Sequence, residues 1–195
     1  MSKTAIILAS TSPFRRSILQ KLAIDFTIKA PNVDETALPG EAPTELVKRL
    51  AELKAQAIAV NHQNALVIGS DQVAVFNSEI LGKPHTHENA IKQLTAFSGQ
   101  QVTFLTGLSL VNSQTGNVQT IVDEFSVYFR TLTYKQINKY LLAETPYNCA
   151  GSFKSEGMGI CLFDKLEGDD PNTLIGLPLI RLVALLGNEG VDVLG

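Results

Sequence analysis

A cluster of hydroxyl and guanidinium side chains follows the first apolar run of the chain. Residues 10–16 are Ser-Thr-Ser-Pro-Phe-Arg-Arg. Hydroxyls such as those of Ser10 and Ser12 cap free N–H groups at a helix N-terminus, and proline suits the first helical turn. The positive end of the helix dipole, together with Arg15 and Arg16, would attract an anion, which makes a phosphate-bearing ligand the natural candidate. An ordinary capped surface helix with solvated arginines is the alternative interpretation.

Two carboxylates and two lysines further along the chain could complete a phosphate-handling site. Asp71 is expected at the C-terminal end of a buried strand, where open α/β sheets place ligands, and Glu35 in a loop. Together they would suit Mg²⁺, which prefers oxygen ligands and keeps several waters. Lys54 and Lys83 could neutralise phosphate oxygens, although a lysine at the edge of an apolar helix stripe ordinarily reaches out to water. A turn-capping aspartate and a solvated loop acid are the alternatives for the two carboxylates.

Other common catalytic arrangements are missing from the sequence. His62 falls in a turn at a helix end, and His85 and His87 fall in a polar loop, so no histidine fits a Ser-His-Asp arrangement. The chain also contains no Walker A and no GxGxxG pattern. These absences argue against a P-loop or Rossmann nucleotide site.

Composition limits the class of protein. With 195 residues, 45% hydrophobic and 18% charged, the chain is long enough for a sizeable core in one globular domain. Its net charge of −3 provides no global basic field for a nucleic-acid polymer. The N-terminal apolar run is too short for a signal peptide and no later run could span a bilayer, so we expect a cytoplasmic protein without membrane contact.

The apolar patterns predict alternating strands and helices. Strands are predicted at residues 5–8, 26–30, 65–69, 80–81 and 160–163, with a long antiparallel hairpin at 102–111 and 118–129. Helices are predicted at residues 13–22, 43–60, 89–97 and 134–142, with a last helix that ends at 187. Strands mixed with helices and one long hairpin indicate an α/β fold with a mixed sheet.

Eight short motifs occur in order along nearly the whole chain. They occupy residues 8–16 (LASTSPFRR), 33–35 (VDE), 53–55 (LKA), 69–72 (GSDQ), 81–84 (LGKP), 97–99 (FSG), 151–157 (GSFKSEG) and 170–178 (DPNTLIGLP). Taken together they resemble the Maf family of house-cleaning nucleoside triphosphate pyrophosphatases. The resemblance implies a bilobed Maf/ITPase-like α/β fold, in which an elongated mixed β-sheet is flanked by helices and the nucleotide binds in a central cleft. It implies a single domain of residues 1–195 with two lobes, and a homodimer as the common assembly.

The resemblance also implies roles for the candidate residues. Asp71 would be the proton acceptor for a water that cleaves the triphosphate between its α- and β-phosphates, with Glu35, Lys54 and Lys83 as further catalytic residues. Glu35 and Asp71 would hold a divalent cation, Mg²⁺ or Mn²⁺, which leaves open whether Asp71 is the base or a metal ligand. The expected phosphate-binding residues are Ser10, Ser12, Arg15 and Arg16.

Three positions bear on which nucleobase the protein would select. Relatives that act on dTTP and UTP carry Arg, Thr and Gln where this chain has Phe14, Gln72 and Glu156. The present trio is similar to the YceF-like branch, which hydrolyses the small-molecule nucleotide 7-methyl-GTP and prevents the incorporation of modified nucleotides. A carboxylate at Glu156 can accept hydrogen bonds from guanine, and an aromatic face at Phe14 suits a cationic purine, unless Phe14 is simply a core residue. A dTTP/UTP pyrophosphatase of the same family and a nucleotide-binding regulator of septum formation are the alternatives.

Overall fold

Residues 4–195 of the chain are described by a computed structural model. They form the strands β1 (Ala5–Ala9), β2 (Thr27–Lys29), β3 (Ala65–Phe76), β4 (Glu79–Leu81), β5 (Gln101–Asn112), β6 (Val118–Phe129) and β7 (Phe163–Glu167). The helices are α1 (Pro13–Gln20), α2 (Pro43–Ala59), α3 (His87–Phe97), α4 (Tyr134–Glu144), α5 (Pro171–Ile175) and α6 (Leu179–Asn188). Short 3₁₀ segments lie at Ala150–Ser152 and Met158–Leu162. No helix within residues 4–195 is long and apolar enough to cross a membrane.

The strands form one mixed seven-stranded sheet. Its order is β2-β1-β3-β5-β6-β7, and β4 pairs with β3. β1 pairs in parallel with both β2 and β3, whereas β3 pairs antiparallel with β4, and β6 with β7. This sheet, flanked by helices, confirms the predicted α/β class.

The described residues divide into two compact units. The first unit comprises residues 4–72, 106–123 and 170–195, and the second comprises residues 73–105 and 124–169. The three long strands β3, β5 and β6 are each twelve residues long, and each contributes residues to both units.

The first unit is organised around a very close contact between α2 and the sheet. A Cβ added at Gly69 of β3 would lie 2.1 Å from the carbonyl oxygen of Ala51, and one added at Gly107 of β5 would lie 2.1 Å from that of Val47. Only glycine leaves room for a helix backbone at this distance. The contact therefore places the next turn of α2, which carries Lys54, directly on β3.

The second unit has an aromatic core. The ring of Phe153 packs edge-on against Phe104, Phe129 and Phe163, with centroid separations of 5.4, 5.7 and 4.8 Å. Edge-to-face pairs of this kind add to the stabilisation that burial provides. Phe153 thereby anchors the irregular segment that follows the 3₁₀ turn at Ala150–Ser152.

Local signals placed several elements well. Thr133 caps α4 and forms the reciprocal capping box with Gln136, which confirms the predicted helix start. Asn77 and Ser78 both have positive φ, of 50° and 68°, as a two-residue hairpin turn requires. The strand predicted at residues 160–163 is wrong, because the amides of Gly159 and Ile160 donate back to the carbonyls of Lys154 and Gly157 and form a turn.

The expectation that Asp71 lies at the C-terminal end of a strand is also wrong. β3 continues to Phe76, where it pairs with β4. The parallel ladder with β1 nevertheless ends where Ala9 faces Gly69. Asp71 therefore lies within the strand but two residues past the end of its parallel pairing, which is the edge where α/β sheets bind ligands.

Candidate active site

The ammonium group of Lys54 lies between two carboxylates. Its Nζ atom donates to Asp71 Oδ1 at 2.7 Å and forms an ion pair with Glu35 Oε2 at 2.8 Å. The side chains of Lys54 and Asp71 are only 6% and 11% exposed, whereas that of Glu35 is 56% exposed. The alternative that Lys54 reaches out to water is therefore ruled out, because α2 lies on β3 and Asp71 supplies the counter-charge that a buried ammonium needs.

The start of α1 confirms the predicted helix cap. Ser12 is the N-cap residue, and its Oγ atom accepts a hydrogen bond from the amide of Arg15 at 3.4 Å. Ser10 is buried, and its Oγ atom accepts from the amide of Ser12 at 3.1 Å. Arg16 is exposed on the same helix. The hydroxyls fix the conformation of this turn, and phosphate binding by the four residues stays a prediction.

Arg15 is held in place by a carbonyl of a distant segment. Its Nε atom donates to the carbonyl oxygen of Gly176 at 2.8 Å, and Ser70 Oγ donates to the same oxygen at 2.9 Å. Burial lowers the pKa of the Arg15 guanidinium below its usual value, while the nearby carboxylates of Asp71 and Glu35 raise it. An arginine stays protonated despite such a shift, so the positive charge of Arg15 interacts with the carboxylates of Asp71 and Glu35.

The segment that presents the Gly176 carbonyl is itself tightly held. Asp170 is almost fully buried and caps α5 by accepting from the amide of Asn172 at 2.8 Å. Its second oxygen accepts from the amide of Ile180 at the start of α6, also at 2.8 Å. One carboxylate thus joins the two helices and fixes the turn at Gly176, where φ is +112°. Sequence reasoning assigned no such role to Asp170, although an aspartate before proline is a typical helix cap.

The carboxamide of Gln72 is oriented by buried acceptors. Its Nε2 atom lies 2.9 Å from Thr106 Oγ1, 2.7 Å from the carbonyl oxygen of Thr173 and 3.2 Å from that of Leu174. Carbonyl oxygens only accept, so the nitrogen must face them. Thr173 in turn donates to Asp123 at 2.6 Å. The amide nitrogen is therefore engaged within the protein, and Oε1 is the atom of Gln72 that can bind a ligand.

Phe14 lies on the first turn of α1 and is 38% exposed. This exposure rules out the alternative that it is a core residue. The side chain is accessible to a ligand, although its role in specificity stays a prediction.

Lys83 and Glu156 belong to the second unit and are both exposed. The backbone on either side of Lys83 is held, because Gln93 donates to the carbonyl of Gly82 and the amide of His85 donates to that of Tyr147, each at 2.9 Å.

Lys83 and Glu156 both act electrostatically on the thiol of Cys149. Burial raises the pKa of the Cys149 thiol, Lys154 lowers it, Glu156 raises it and Lys83 lowers it again. The structure thus brings Lys83 and Glu156 into the surroundings of one half-buried thiol.

Glu35 and Asp71 have the oxygen donors that a divalent cation prefers. Within residues 4–195 no group of three or more His, Cys, Asp or Glu side chains could hold a metal ion alone. The two carboxylates nevertheless converge on one point, which is the Lys54 ammonium. Proteins typically bind Mg²⁺ through one or two carboxylates, and substrate phosphates and water supply the remaining ligands. The donor set therefore fits Mg²⁺ or Mn²⁺ that binds with a nucleotide.

The comparison with known proteins defines the class to which this fold and site belong. The family model described as Maf-like protein matches residues 5–189, so the chain belongs to the Maf family, as its motifs predicted.

Two similar relatives are each named 7-methyl-GTP pyrophosphatase. The one from Vibrio vulnificus (strain CMCP6) is 59% identical over 195 residues and covers 100% of both chains. The one from Pseudoalteromonas translucida (strain TAC 125) is 60% identical over 192 residues, which is 98% of this chain and 95% of the relative. The Ham1 protein of Staphylococcus aureus covers 95% of this chain and 99% of its own, with a TM-score of 0.54 at 16% identity, and therefore supports the fold alone.

Replacing Lys54 with methionine tests the buried ion pair. Lys54→Met removes the counter-charge of a buried Asp71, which we expect to cost about 3–5 kcal/mol in the free energy of unfolding. Lys165→Met is the matched control, because the exposed pair of Lys165 and Glu167 should contribute less than about 1 kcal/mol. Urea unfolding gives the free energy of unfolding of both variants. Equally small losses in the two would contradict the claim that Lys54 and Asp71 form a buried ion pair.

Alkylation of Cys149 tests the electrostatics of the second unit. In a Cys161→Ser background, Lys83→Ala should slow the reaction of Cys149 with iodoacetamide at pH 8, because less of the thiol is ionised. Glu156→Gln should speed it for the converse reason. Lys165→Ala, which alters a lysine outside the groups that shift this thiol, should leave the rate unchanged. Identical rates in all variants would disprove the shared surroundings.

Proposed function

We propose that this chain hydrolyses 7-methyl-GTP between the α- and β-phosphates and releases the monophosphate and pyrophosphate. The observation that carries the proposal is the cluster of Lys54, Asp71, Glu35 and Arg15 in a chain of the Maf family. Similar relatives that match it over nearly their whole length are named 7-methyl-GTP pyrophosphatases.

Asp71 is the residue that accepts a proton from the attacking water. Lys54 binds its Oδ1 atom at 2.7 Å, which fixes the carboxylate and leaves Oδ2 for the water. A positioned general base of this kind contributes about 10²–10⁴-fold to the rate.

Lys54 and Arg15 stabilise the negative charge that develops on the phosphates. Lys54 is buried and Arg15 is partly buried, and both are positioned before the substrate binds, Lys54 by two carboxylates and Arg15 by the carbonyl of Gly176. Charges that are already oriented in a site of low dielectric constant stabilise a transition state strongly. Lys83, whose backbone is held on both sides, is proposed to contribute a third positive charge.

Glu35 and Asp71 are the residues proposed to hold the divalent cation. When bound, it would neutralise phosphate oxygens as a Lewis acid. Glu35 is suited to this task, because its side chain is largely exposed and stays accessible to an ion that arrives with the nucleotide.

Selection of the nucleobase is proposed to depend on two hydrogen-bond acceptors and one aromatic ring. The Glu156 carboxylate can accept from N1–H and the exocyclic amine of guanine, and Gln72 offers its carboxamide oxygen. Methylation at N7 makes the ring cationic, so that stacking on Phe14 gains up to roughly 2 kcal/mol, or about thirtyfold in affinity. Neither term favours a pyrimidine.

The test is a panel of nucleotides assayed for pyrophosphate release. We expect kcat/KM to fall from 7-methyl-GTP to GTP and then to dTTP and UTP. Asp71→Asn should lower kcat by about 10²–10⁴-fold for every substrate and leave binding of a non-hydrolysable analogue intact. Faster hydrolysis of dTTP or UTP than of 7-methyl-GTP would contradict the proposed substrate preference. Full activity of Asp71→Asn would contradict the role of Asp71 as the general base.

A further inference from the structure

The loop that carries Glu156 is attached to the end of α4 on both sides of that residue. Before it, the backbone amide of Lys154 donates to the hydroxyl of Tyr140 at 3.0 Å. After it, the backbone amide of Met158 donates to Glu144 Oε1 at 2.9 Å. Tyr140 and Glu144 are one turn apart on α4, so a single rigid helix holds both ends of the loop.

The carboxylate of Glu144 reaches both ends of this loop. Its Oε1 atom binds the amide of Met158, while Oε2 lies 3.6 Å from the ammonium of Lys154. Lys154 Nζ also donates to the backbone carbonyl of Glu144 at 2.8 Å, which places a cation at the negative end of α4. The side chains of Glu144 and Lys154 are only 19% and 29% exposed, so water screens the pair weakly.

The backbone of the loop lies directly on the Glu144 carboxylate. A Cβ added at Gly157 would lie 2.8 Å from Glu144 Oε1, closer than side chains pack. Phe153, which directly precedes Lys154 in the chain, is anchored in the aromatic core. Glu156 is therefore an exposed side chain on a backbone that is fixed before and after it.

We propose that Glu144, paired with Lys154, is a positioning residue for the specificity of the enzyme. It holds the loop so that the Glu156 carboxylate is presented in one orientation, and it acts on the substrate only through Glu156. The inference rests on the proposed function, in which Glu156 binds the guanine. A carboxylate on a mobile loop would have to lose conformational freedom on binding, and affinity for guanine would fall with it.

A double-mutant cycle on substrate selectivity tests the proposal. The readout is the ratio of kcat/KM for 7-methyl-GTP to that for UTP, in Glu144→Ala, Glu156→Ala and the double variant. Glu144→Ala alone should lower the ratio about tenfold, roughly the contribution of one charge-assisted hydrogen bond. In the Glu156→Ala background the same change should lower it no further, because the two residues act as one unit.

Two further variants separate positioning from general loss of structure. Glu144→Gln keeps the shape and an acceptor for the Met158 amide, and should retain most of the selectivity. Glu167→Ala removes an exposed carboxylate of the same unit that binds Tyr128 and Lys165, and should leave the ratio unchanged. An equal fall in kcat/KM for both nucleotides, or an equal fall of the ratio in both backgrounds, would overturn the proposal.

Hydrogen–deuterium exchange provides a readout that needs no substrate. Glu144→Ala should speed exchange at the amides of Lys154, Met158 and Gly159 while α3 stays protected. Unchanged protection of the loop would overturn the positioning role even if the enzyme prefers 7-methyl-GTP. A wild-type enzyme without that preference would instead contradict the proposed function, and the exchange result would still decide whether Glu144 holds the loop.

Discussion

The buried ammonium of Lys54 is the constraint on which the site depends. Two glycines let α2 lie so close to the sheet that its lysine enters the interior beside β3, where the positive charge requires a partner. Asp71 supplies the partner, and the attraction between the two charges offsets the cost of removing them from water. Under the proposed function, the same exclusion of water would strengthen the attraction of Lys54 for phosphate oxygens. The ion pair that the close approach of α2 requires therefore also supplies the charged groups on which the proposed chemistry depends.

A second set of buried polar groups orients the residues around this pair. The Gly176 carbonyl binds Arg15 and Ser70, and Asp170 fixes the turn that presents it. The carbonyls of the adjacent turn fix the nitrogen of Gln72. The motif at residues 170–178 is thus a scaffold made of backbone acceptors, which explains how helices α5 and α6 influence a site to which they contribute little side-chain chemistry.

Much of this could be predicted from the sequence, and the remainder depended on contacts between distant segments. The Ser12 cap and the start of α4 after Thr133 depend on local signals, and both were predicted correctly. The burial of Lys54 follows from the helix approach at Gly69, and the continuation of β3 past Asp71 follows from its pairing with β4, neither of which a local pattern reveals. The roles of Thr106 and Asp123 were missed for the same reason, since their partners are many residues away.

In the proposed mechanism, the Lys54 and Asp71 cluster directs water to the bond between the α- and β-phosphates. ³¹P NMR of the products formed from 7-methyl-GTP tests this most directly, because it distinguishes the two ways of cutting a triphosphate. We expect the monophosphate and pyrophosphate in equal amounts, without orthophosphate. Formation of 7-methyl-GDP and orthophosphate would contradict it.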